Sequence, residues 1–398
     1  MLLPTPRLCL ALGLLLSAWS AQGQESSPYY FGASAGLTHV SNVYRRGDTA
    51  NSDRVTSLGL LAGLDQRLGR ARLRIDTSAN NNRYATLRDL NNTSYSGRST
   101  VDWETLGDLS GTLLASRNRT LAEFNIGRGA DNVPLPSQQN RESNGEYSAL
   151  VRLGAKSRYS LEAGWAYRKR DFSAIEYSRF AFSQHSLQVG AYAKPGANLK
   201  VGIVGRKAKG KNPRYPVVVS GFPLLLENPY RRTDIDLTAS WATGGSSQLD
   251  ARVSRSRTRN DLLFVNSFSG TTGALAWSWL PTPKLQLRFN ASRDTGVESR
   301  IQSSDIDRLY HSLGATANYE LTGKLFLQAS INRISNRRDS VGAYDNDATQ
   351  SIGVRWAYSR SISLSCQAAR SSRDSSVAIY TYRANSLGLT SFDIGVHP

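Results

Sequence analysis

Residues 72–80 read RLRIDTSAN, and this stretch decides the fold. Apolar or small residues occupy every second position from Leu73 to Ala79, and charged or polar side chains occupy the positions between them. Successive side chains of a β-strand point to opposite faces, so this pattern predicts a strand with one apolar and one charged face. The same alternation recurs along the chain, notably at residues 161–168, 234–241, 285–292 and 351–358.

Short turns alternate with longer polar links between the predicted strands. The eight short turns fall at residues 67–70, 106–108, 155–158, 194–198, 243–247, 280–283, 322–324 and 359–361. The nine longer links fall near residues 45–53, 80–93, 117–142, 171–178, 207–231, 258–267, 293–306, 333–347 and 370–377. Eighteen strands follow, with both chain ends on the short-turn side. Short turns on one side, long loops on the other and an even strand count are typical of bacterial outer-membrane barrels.

The alternation alone is also compatible with a soluble β-sandwich or jelly roll, whose apolar faces pack against each other. No change in composition divides the mature chain into separate sandwiches. Many Tyr and Trp residues, such as Trp103, Trp241, Trp279 and Trp356, fall near strand ends, as in the aromatic girdles of membrane barrels. We therefore predict an all-β protein, a transmembrane antiparallel up-and-down β-barrel of about 18 strands.

The N-terminus is typical of a secretory signal peptide. Arg7 supplies a positive charge, residues 8–19 form an apolar core, and Ala21-Gln22-Gly23 provides small residues before a cleavage site. We predict a cleaved signal peptide at residues 1–23 and one outer-membrane barrel at residues 24–398. With Cys9 removed, Cys366 is the one remaining cysteine, so no internal disulfide staples the barrel.

The residues give little support for catalysis. The four histidines fall on different predicted strands or the tail, with no spacing that suggests a metal site. We predict no enzymatic activity, no metal and no cofactor. The net charge of +18 suits an anionic partner. Nucleic acid is an unsuitable anionic partner for an exported protein. Acidic glycans and lipid headgroups remain as candidate anionic partners.

If the apolar positions face lipid, the positions between them line the lumen. Basic residues outnumber acidic ones in the set that we assign to the lumen, which favours anion selectivity because low-dielectric walls focus the field along a pore. Solvated ion pairs that only keep the lumen wet are the alternative. The predicted basic pore lining is Arg72, Arg74, Arg98, Arg152, Arg168, Lys200, Arg206, Arg252, Arg288 and Arg355.

Two further features are candidate substrate contacts. Inward positions also carry Tyr30, Tyr192 and Tyr310, whose rings could stack on sugars. The longest link, residues 208–231, contains apolar runs that a wholly exposed loop would not keep. We predict that it folds inward as a constriction, with packing on neighbouring loops as the alternative. Its candidate constriction residues are Lys209, Lys211, Arg214, Tyr215 and Pro216.

Several stretches resemble the outer-membrane barrels encoded with exopolysaccharide biosynthesis genes in bacteria that carry exosortase systems. The opening strand begins with Phe31-Gly32-Ala33 and ends in Asn42-Val43-Tyr44-Arg45, and Arg83-Tyr84 precedes Trp103. A basic segment at residues 205–216 ends in Tyr-Pro, which is similar to that family's mid-chain motif. The resemblance implies a role in moving a polysaccharide across the outer membrane.

The sequence thus predicts an outer-membrane conduit that exports an exopolysaccharide, acidic if the lumen is basic. Its partners would be outer-membrane lipid, the polysaccharide, and periplasmic or inner-membrane components of a synthesis and export apparatus. A general or anion-preferring diffusion porin is the first alternative, and a non-conducting surface or adhesive barrel is the second. Association of several copies of the chain stays open.

Overall fold

The computed structural model describes residues 28–125, 137–219, 222–262, 267–295, 309–338 and 343–394. The predicted signal peptide lies outside these residues, as do parts of several predicted links. The described chain forms eighteen strands. They are β1 Tyr29–Val40, β2 Asp53–Leu68, β3 Ala71–Tyr84, β4 Asn92–Glu104, β5 Leu109–Leu121, β6 Arg141–Leu153, β7 Tyr159–Phe172, β8 Phe182–Gly196, β9 Leu199–Val219, β10 Phe222–Thr243, β11 Ser247–Asn260, β12 Phe268–Thr282, β13 Leu285–Thr295, β14 Leu309–Thr322, β15 Leu325–Arg338, β16 Ala343–Ala357, β17 Ile362–Ser375 and β18 Tyr382–Ile394.

The strands form one closed antiparallel barrel. Each strand pairs with its neighbours in sequence, and β1 also pairs with β18, where Leu37 lies opposite Leu389. Closure pairs the first strand with the last, as a sheet surrounded by hydrocarbon requires. The predicted fold class and strand number are confirmed.

The short turns lie at one end of the barrel, where the sequence predicts them. Gly69 connects β2 to β3 with a φ of 58°, and Gly244 and Gly245 connect β10 to β11 with φ of 45° and 93°. Only glycine adopts this left-handed region without a steric cost, so these residues permit the tight reversals.

The two faces of the barrel differ in chemistry. Large apolar side chains cover the outer face, and Leu60 and Leu313 are 69% and 60% exposed. At the short-turn end, Trp277 stacks on Trp279 with ring centroids 5.3 Å apart. A soluble protein rarely exposes so large an apolar surface, so the outer face is a lipid-facing belt with an aromatic girdle. Among the described residues, no helix is long and apolar enough to cross a membrane.

Most buried residues lie in the half of the barrel that carries the long loops. Among the described residues, three short 3₁₀ segments occur there, at Arg88–Leu90, Ile175–Phe180 and Ala378–Tyr380. Tyr177 and Phe180 pack with Ala174 against Phe172 on the inner side of β7. The loop between β7 and β8 therefore folds over the inner wall, while the wall of the short-turn half stays open to water.

Residues 208–231 form strands where the sequence predicts a loop, and their role as a constriction stays a prediction. This segment continues β9 and β10 as a hairpin, which pairs from Trp241 with Leu199 out to Phe222 with Val219. The pairing of β8 with β9 ends at Lys211, so the outer part of the hairpin has only two strands. Backbone pairing between the two strands satisfies the main-chain polar groups that face each other. The apolar runs that suggested a buried loop are the strand segments of this hairpin.

Candidate functional site

The register places every predicted basic pore-lining residue on the inner face. In the strand register, Arg72 lies opposite Asp102 across β3 and β4, and Arg152 lies opposite Glu162 across β6 and β7. Residues that lie opposite each other share a face of the sheet, and the same alternation continues around the barrel. The members that share this face are Arg72, Arg74, Arg98, Arg152, Arg168, Lys200, Arg206, Arg252, Arg288 and Arg355. They are spread around the lumen rather than gathered at one point. Their predicted role in ion selectivity stays a prediction.

The inner face is not dominated by basic residues, contrary to the expectation from the sequence. Carboxylates line it in about the same number as guanidinium and ammonium groups, because the strand register places acidic residues opposite basic ones. The acidic members on strands are Asp53, Asp65, Asp76, Asp102, Glu104, Glu142, Glu146, Glu162, Asp234, Asp236, Asp250, Asp294, Glu320, Asp345 and Asp347. The excess positive charge of the chain therefore lies elsewhere.

Exposure distinguishes the two partners in two ion pairs on the wall formed by β7–β13, although this wall also carries the exposed Asp250 and the buried Arg232. The side chains of Arg252 and Asp294 are joined at 3.0 Å, yet the arginine is 25% exposed and the aspartate 3%. Lys200 is likewise 33% exposed beside Glu162 at 12%. In these two pairs the cation thus stands towards the lumen in front of a buried carboxylate. On the opposite wall, Arg72 and Asp65 are exposed alike, at 46% and 45%.

A buried network at the long-loop end was not among the predicted site residues. Its centre is Arg232, which is 2% exposed and donates to Asp234 at 2.8 Å, to Asp294 and Thr295 at 2.9 and 2.8 Å, and to Ser256 at 3.2 Å. The alternation of residues 230–236 could have placed Arg232 on the inner face, but it does not reveal that β13 supplies the second carboxylate. Such a network fixes the geometry of this wall because breaking one partner leaves a buried charge unpaired.

A second cluster joins loops at the mouth, and we call it the mouth cluster: Arg45, Glu123, Asn125, Arg373 and Tyr382. The Arg45 guanidinium makes two bonds to Glu123, at 2.6 and 3.0 Å, and lies 5.6 Å from the centre of the Tyr382 ring. Arg373 donates to the backbone oxygen of Asn125 at 2.5 Å and lies 5.8 Å from the same ring. The cluster therefore links β17 and β18 to the segment after β5, above the inner wall.

The backbone of the mouth cluster adopts an uncommon conformation. Arg45 and Asn125 have φ of 54° and 55°, a region that costs energy for side chains other than glycine. Burial disfavours the charged form of Arg45, but the Glu123 carboxylate outweighs it and holds the pKa of the guanidinium above its ordinary value. Arg45 belongs to the opening-strand motif noted in the sequence, whereas Glu123 and Arg373 carried no sequence signal.

The three candidate sugar-stacking tyrosines lie on the inner face but not together. Tyr30 and Tyr192 are at the short-turn end of β1 and β8, and Tyr310 is at the long-loop end of β14. The Tyr30 hydroxyl donates to Asp76 at 2.6 Å, and the Tyr192 ring lies 4.0 Å from the ammonium of Lys200. This spacing does not form a continuous track for a sugar chain.

The candidate constriction residues lie in the outer half of the β9–β10 hairpin. Lys209 and Lys211 alternate with the buried Ala208 and Asn212 and are exposed on the outer face, and Lys211 pairs with Glu227 at 3.0 Å. Arg214 is exposed, and Tyr215 lies opposite Leu226, with Pro216 following it in β9. Strand alternation points both lysines away from the lumen.

The described lumen also contains a cavity. A cavity of about 900 Å³ lies on the wall of β8–β13, with Tyr192, Lys200, Asp250, Arg252 and Asp294 in its lining. Among the described residues, no group of three or more His, Cys, Asp and Glu could hold a metal ion. At the mouth, burial raises the pKa of Tyr177 to about 12, and its side chain packs in the apolar cluster beneath the loop.

The closed barrel, its lipid-facing belt and its charged lumen define a transmembrane β-barrel, located in the bacterial outer membrane. A family model described as "Putative beta-barrel porin 2" matches residues 255–391. No curated protein matches the sequence.

Solved structures from pseudomonads are among those with a similar chain trace. OccK2 (OpdF) of Pseudomonas aeruginosa is 11% identical, with 93% of this chain and 99% of that chain covered and a TM-score of 0.46. The outer membrane protein opdK of the same organism is 11% identical over 92% and 99%, with a TM-score of 0.47. A BenF-like porin from Pseudomonas fluorescens Pf-5 is 10% identical over 92% and 98%, with a TM-score of 0.46.

Proposed function

We propose that the protein is a porin that lets small anionic solutes diffuse through the outer membrane. The family model over residues 255–391 supports a porin. The observation that carries the anion preference is the layering of charge on the β7–β13 wall, where Arg252 and Lys200 stand in front of the buried Asp294 and Glu162.

This layering gives the lumen an electrostatic asymmetry although the two signs are about equal in number. A solute in the lumen approaches the guanidinium and ammonium groups more closely than the carboxylates behind them. Coulomb energy falls with distance, and the low-dielectric wall strengthens the field inside a pore, so the nearer charge dominates. Transport is passive, since the gradient of the solute supplies the driving force.

Bilayer conductance with a matched pair of variants tests the proposal. Arg252→Gln removes a cation from the layered wall, and Arg72→Gln removes one from the opposite wall, where the partner Asp65 is equally exposed. Each variant changes the net charge by one. We expect Arg252→Gln to lower the ratio of anion to cation permeability by about twofold or more, from the interaction of unit charges roughly 10 Å apart in water.

The reversal potential in a salt gradient measures this ratio for both variants. A wild-type channel that prefers cations contradicts the anion preference. A pair of variants that shift the potential equally shows that net charge, and not the layered wall, sets selectivity. A folded barrel that never conducts contradicts the porin itself.

Export of an exopolysaccharide is the second candidate. The observation that favours it is the place of Arg45, which ends the motif that resembles the exopolysaccharide barrels and lies against the Tyr382 ring at the mouth. Aromatic rings beside polar groups suit sugar contacts, but the separation of Tyr30, Tyr192 and Tyr310 does not. Deletion of the gene distinguishes the two functions: loss of secreted polymer with unchanged uptake of small solutes supports export, and the reverse supports a porin.

A further inference from the structure

The excess positive charge of the chain lies on the outer face, in the half that carries the long loops. On the described strands, the outward acidic side chains there are Asp171, Glu227 and Asp374. The outward basic ones are far more numerous: Arg54, Arg83, Arg117, Arg119, Arg141, Lys169, Lys207, Lys209, Lys211, Arg231, Arg255, Arg257, Arg259, Arg293, Arg333, Arg370 and Arg383. Cations therefore surround the wall just beyond the apolar belt.

These cations are densest on three adjacent strands, and we call this region the β9–β11 patch. It comprises Lys207, Lys209 and Lys211 of β9, Arg231 of β10, and Arg255, Arg257 and Arg259 of β11. Lys209 lies directly opposite Arg231, which lies directly opposite Arg259. Like charges directly opposite each other destabilise a sheet, so this arrangement calls for an anion between them.

The described protein supplies few of those anions. Lys211 pairs with Glu227 at 3.0 Å, and Arg231 reaches Asp261 at 3.5 Å. Within the described ranges, Lys207, Lys209 and the three arginines of β11 have no carboxylate within ion-pair distance. They cannot turn into the lumen, because the residues that alternate with them, such as Ser256 and Thr258, occupy the inner face and are buried.

The patch begins where the lipid-facing belt ends. On β9 the outward side chains run from Leu199 through Ile203 to Lys207, and on β11 from Leu249 through Val253 to Arg255. Val253 and Ile203 are 56% and 60% exposed and belong to the belt. The cations thus lie at the boundary between hydrocarbon and headgroups, where an arginine or lysine costs about 0–1 kcal/mol, against about 2–4 at the midplane.

We propose that the β9–β11 patch binds the phosphate groups of a phosphorylated lipid of the outer leaflet. Charge complementarity favours a phosphate, since one guanidinium group can donate two parallel hydrogen bonds to two oxygens of the same phosphate. The position selects a lipid, because acyl chains below the headgroup then lie along Ile203, Ile235 and Val253. Lys209 and Lys211 belong to the basic segment of residues 205–216, which is part of β9. This site therefore gives that segment a role outside the lumen.

The test uses the barrel in uncharged detergent, titrated with bisphosphorylated lipid A and followed by native mass spectrometry. The patch variant is Lys209→Gln/Arg257→Gln/Arg259→Gln. Its control is Arg333→Gln/Arg370→Gln/Arg383→Gln, which removes three outward cations from β15, β17 and β18. We expect roughly a 10- to 100-fold weaker affinity in the patch variant, from the attraction of each basic residue to anionic lipid, and little change in the control.

Three outcomes overturn the proposal. Equal losses in the two triple variants show a general charge effect and no site. Undiminished binding of the same lipid without phosphates shows that the phosphate is not recognised. Inorganic pyrophosphate that displaces the lipid at equal concentration shows a site for free phosphate. Unchanged conductance of both variants demonstrates that they fold. Because conductance does not depend on this site, failure of the lipid-binding proposal is distinguishable from failure of the proposed porin function.

Discussion

Replacement of Arg232 by methionine tests whether the buried network stabilises the barrel. The side chain is 2% exposed and holds Asp234 and Asp294, which are 0% and 3% exposed. Removal of one partner of a buried ion pair costs about 3–5 kcal/mol because the remaining charge is left unpaired. Arg206 and Arg252 still contact the two carboxylates, at 3.2 and 3.0 Å, so we expect the lower end of that range.

Urea unfolding of the protein in lipid vesicles, followed by tryptophan fluorescence, measures the free energy of unfolding. The matched control is Arg74→Met, whose pair with Asp102 at 2.6 Å is 44% and 40% exposed and is worth up to about 1 kcal/mol. A second variant, Arg232→Met with Asp234→Asn and Asp294→Asn, removes the stranded charges and should recover part of the loss. Equal destabilisation by Arg232→Met and Arg74→Met would refute the reasoning, because burial would then make no difference.

Two further predictions concern the inner and outer faces. A Cβ at Gly202 would overlap the Tyr192 ring, whereas one at Gly205 would meet open space. Gly202→Ala should therefore lower the free energy of unfolding by about 1–3 kcal/mol, and Gly205→Ala should change it little. Urea titration of both variants measures the difference. Cys366 is exposed on the outer face between Val354 and Leu389. Lipid should shield its thiol, so a water-soluble maleimide should label it slowly in lipid vesicles and rapidly after unfolding. Equal labelling rates would contradict the lipid-facing belt.

The location of the net charge shows where the composition alone misleads. A charge of +18 together with alternating strands favoured a basic lumen. The strand register pairs the lumen cations with acids such as Asp102 and Glu162, and it turns Lys207, Arg257 and Arg259 outward. Composition reports the total charge of a chain, whereas selectivity and lipid binding depend on which face each charge occupies.

The amino-acid sequence is enough to predict the all-β barrel, its eighteen strands, the short-turn end and the inner position of residues such as Arg72 and Arg252. These features follow from local properties, since the two-residue period of a strand and the chemistry of turns are written in consecutive residues. Only the tertiary structure decided that residues 208–231 form a hairpin, that Arg45 meets Glu123 and Tyr382, and that Arg232 meets Asp294. Those contacts join residues tens to hundreds of positions apart. They depend on the register of the whole barrel and on how its loops pack at the mouth, and no local period encodes either.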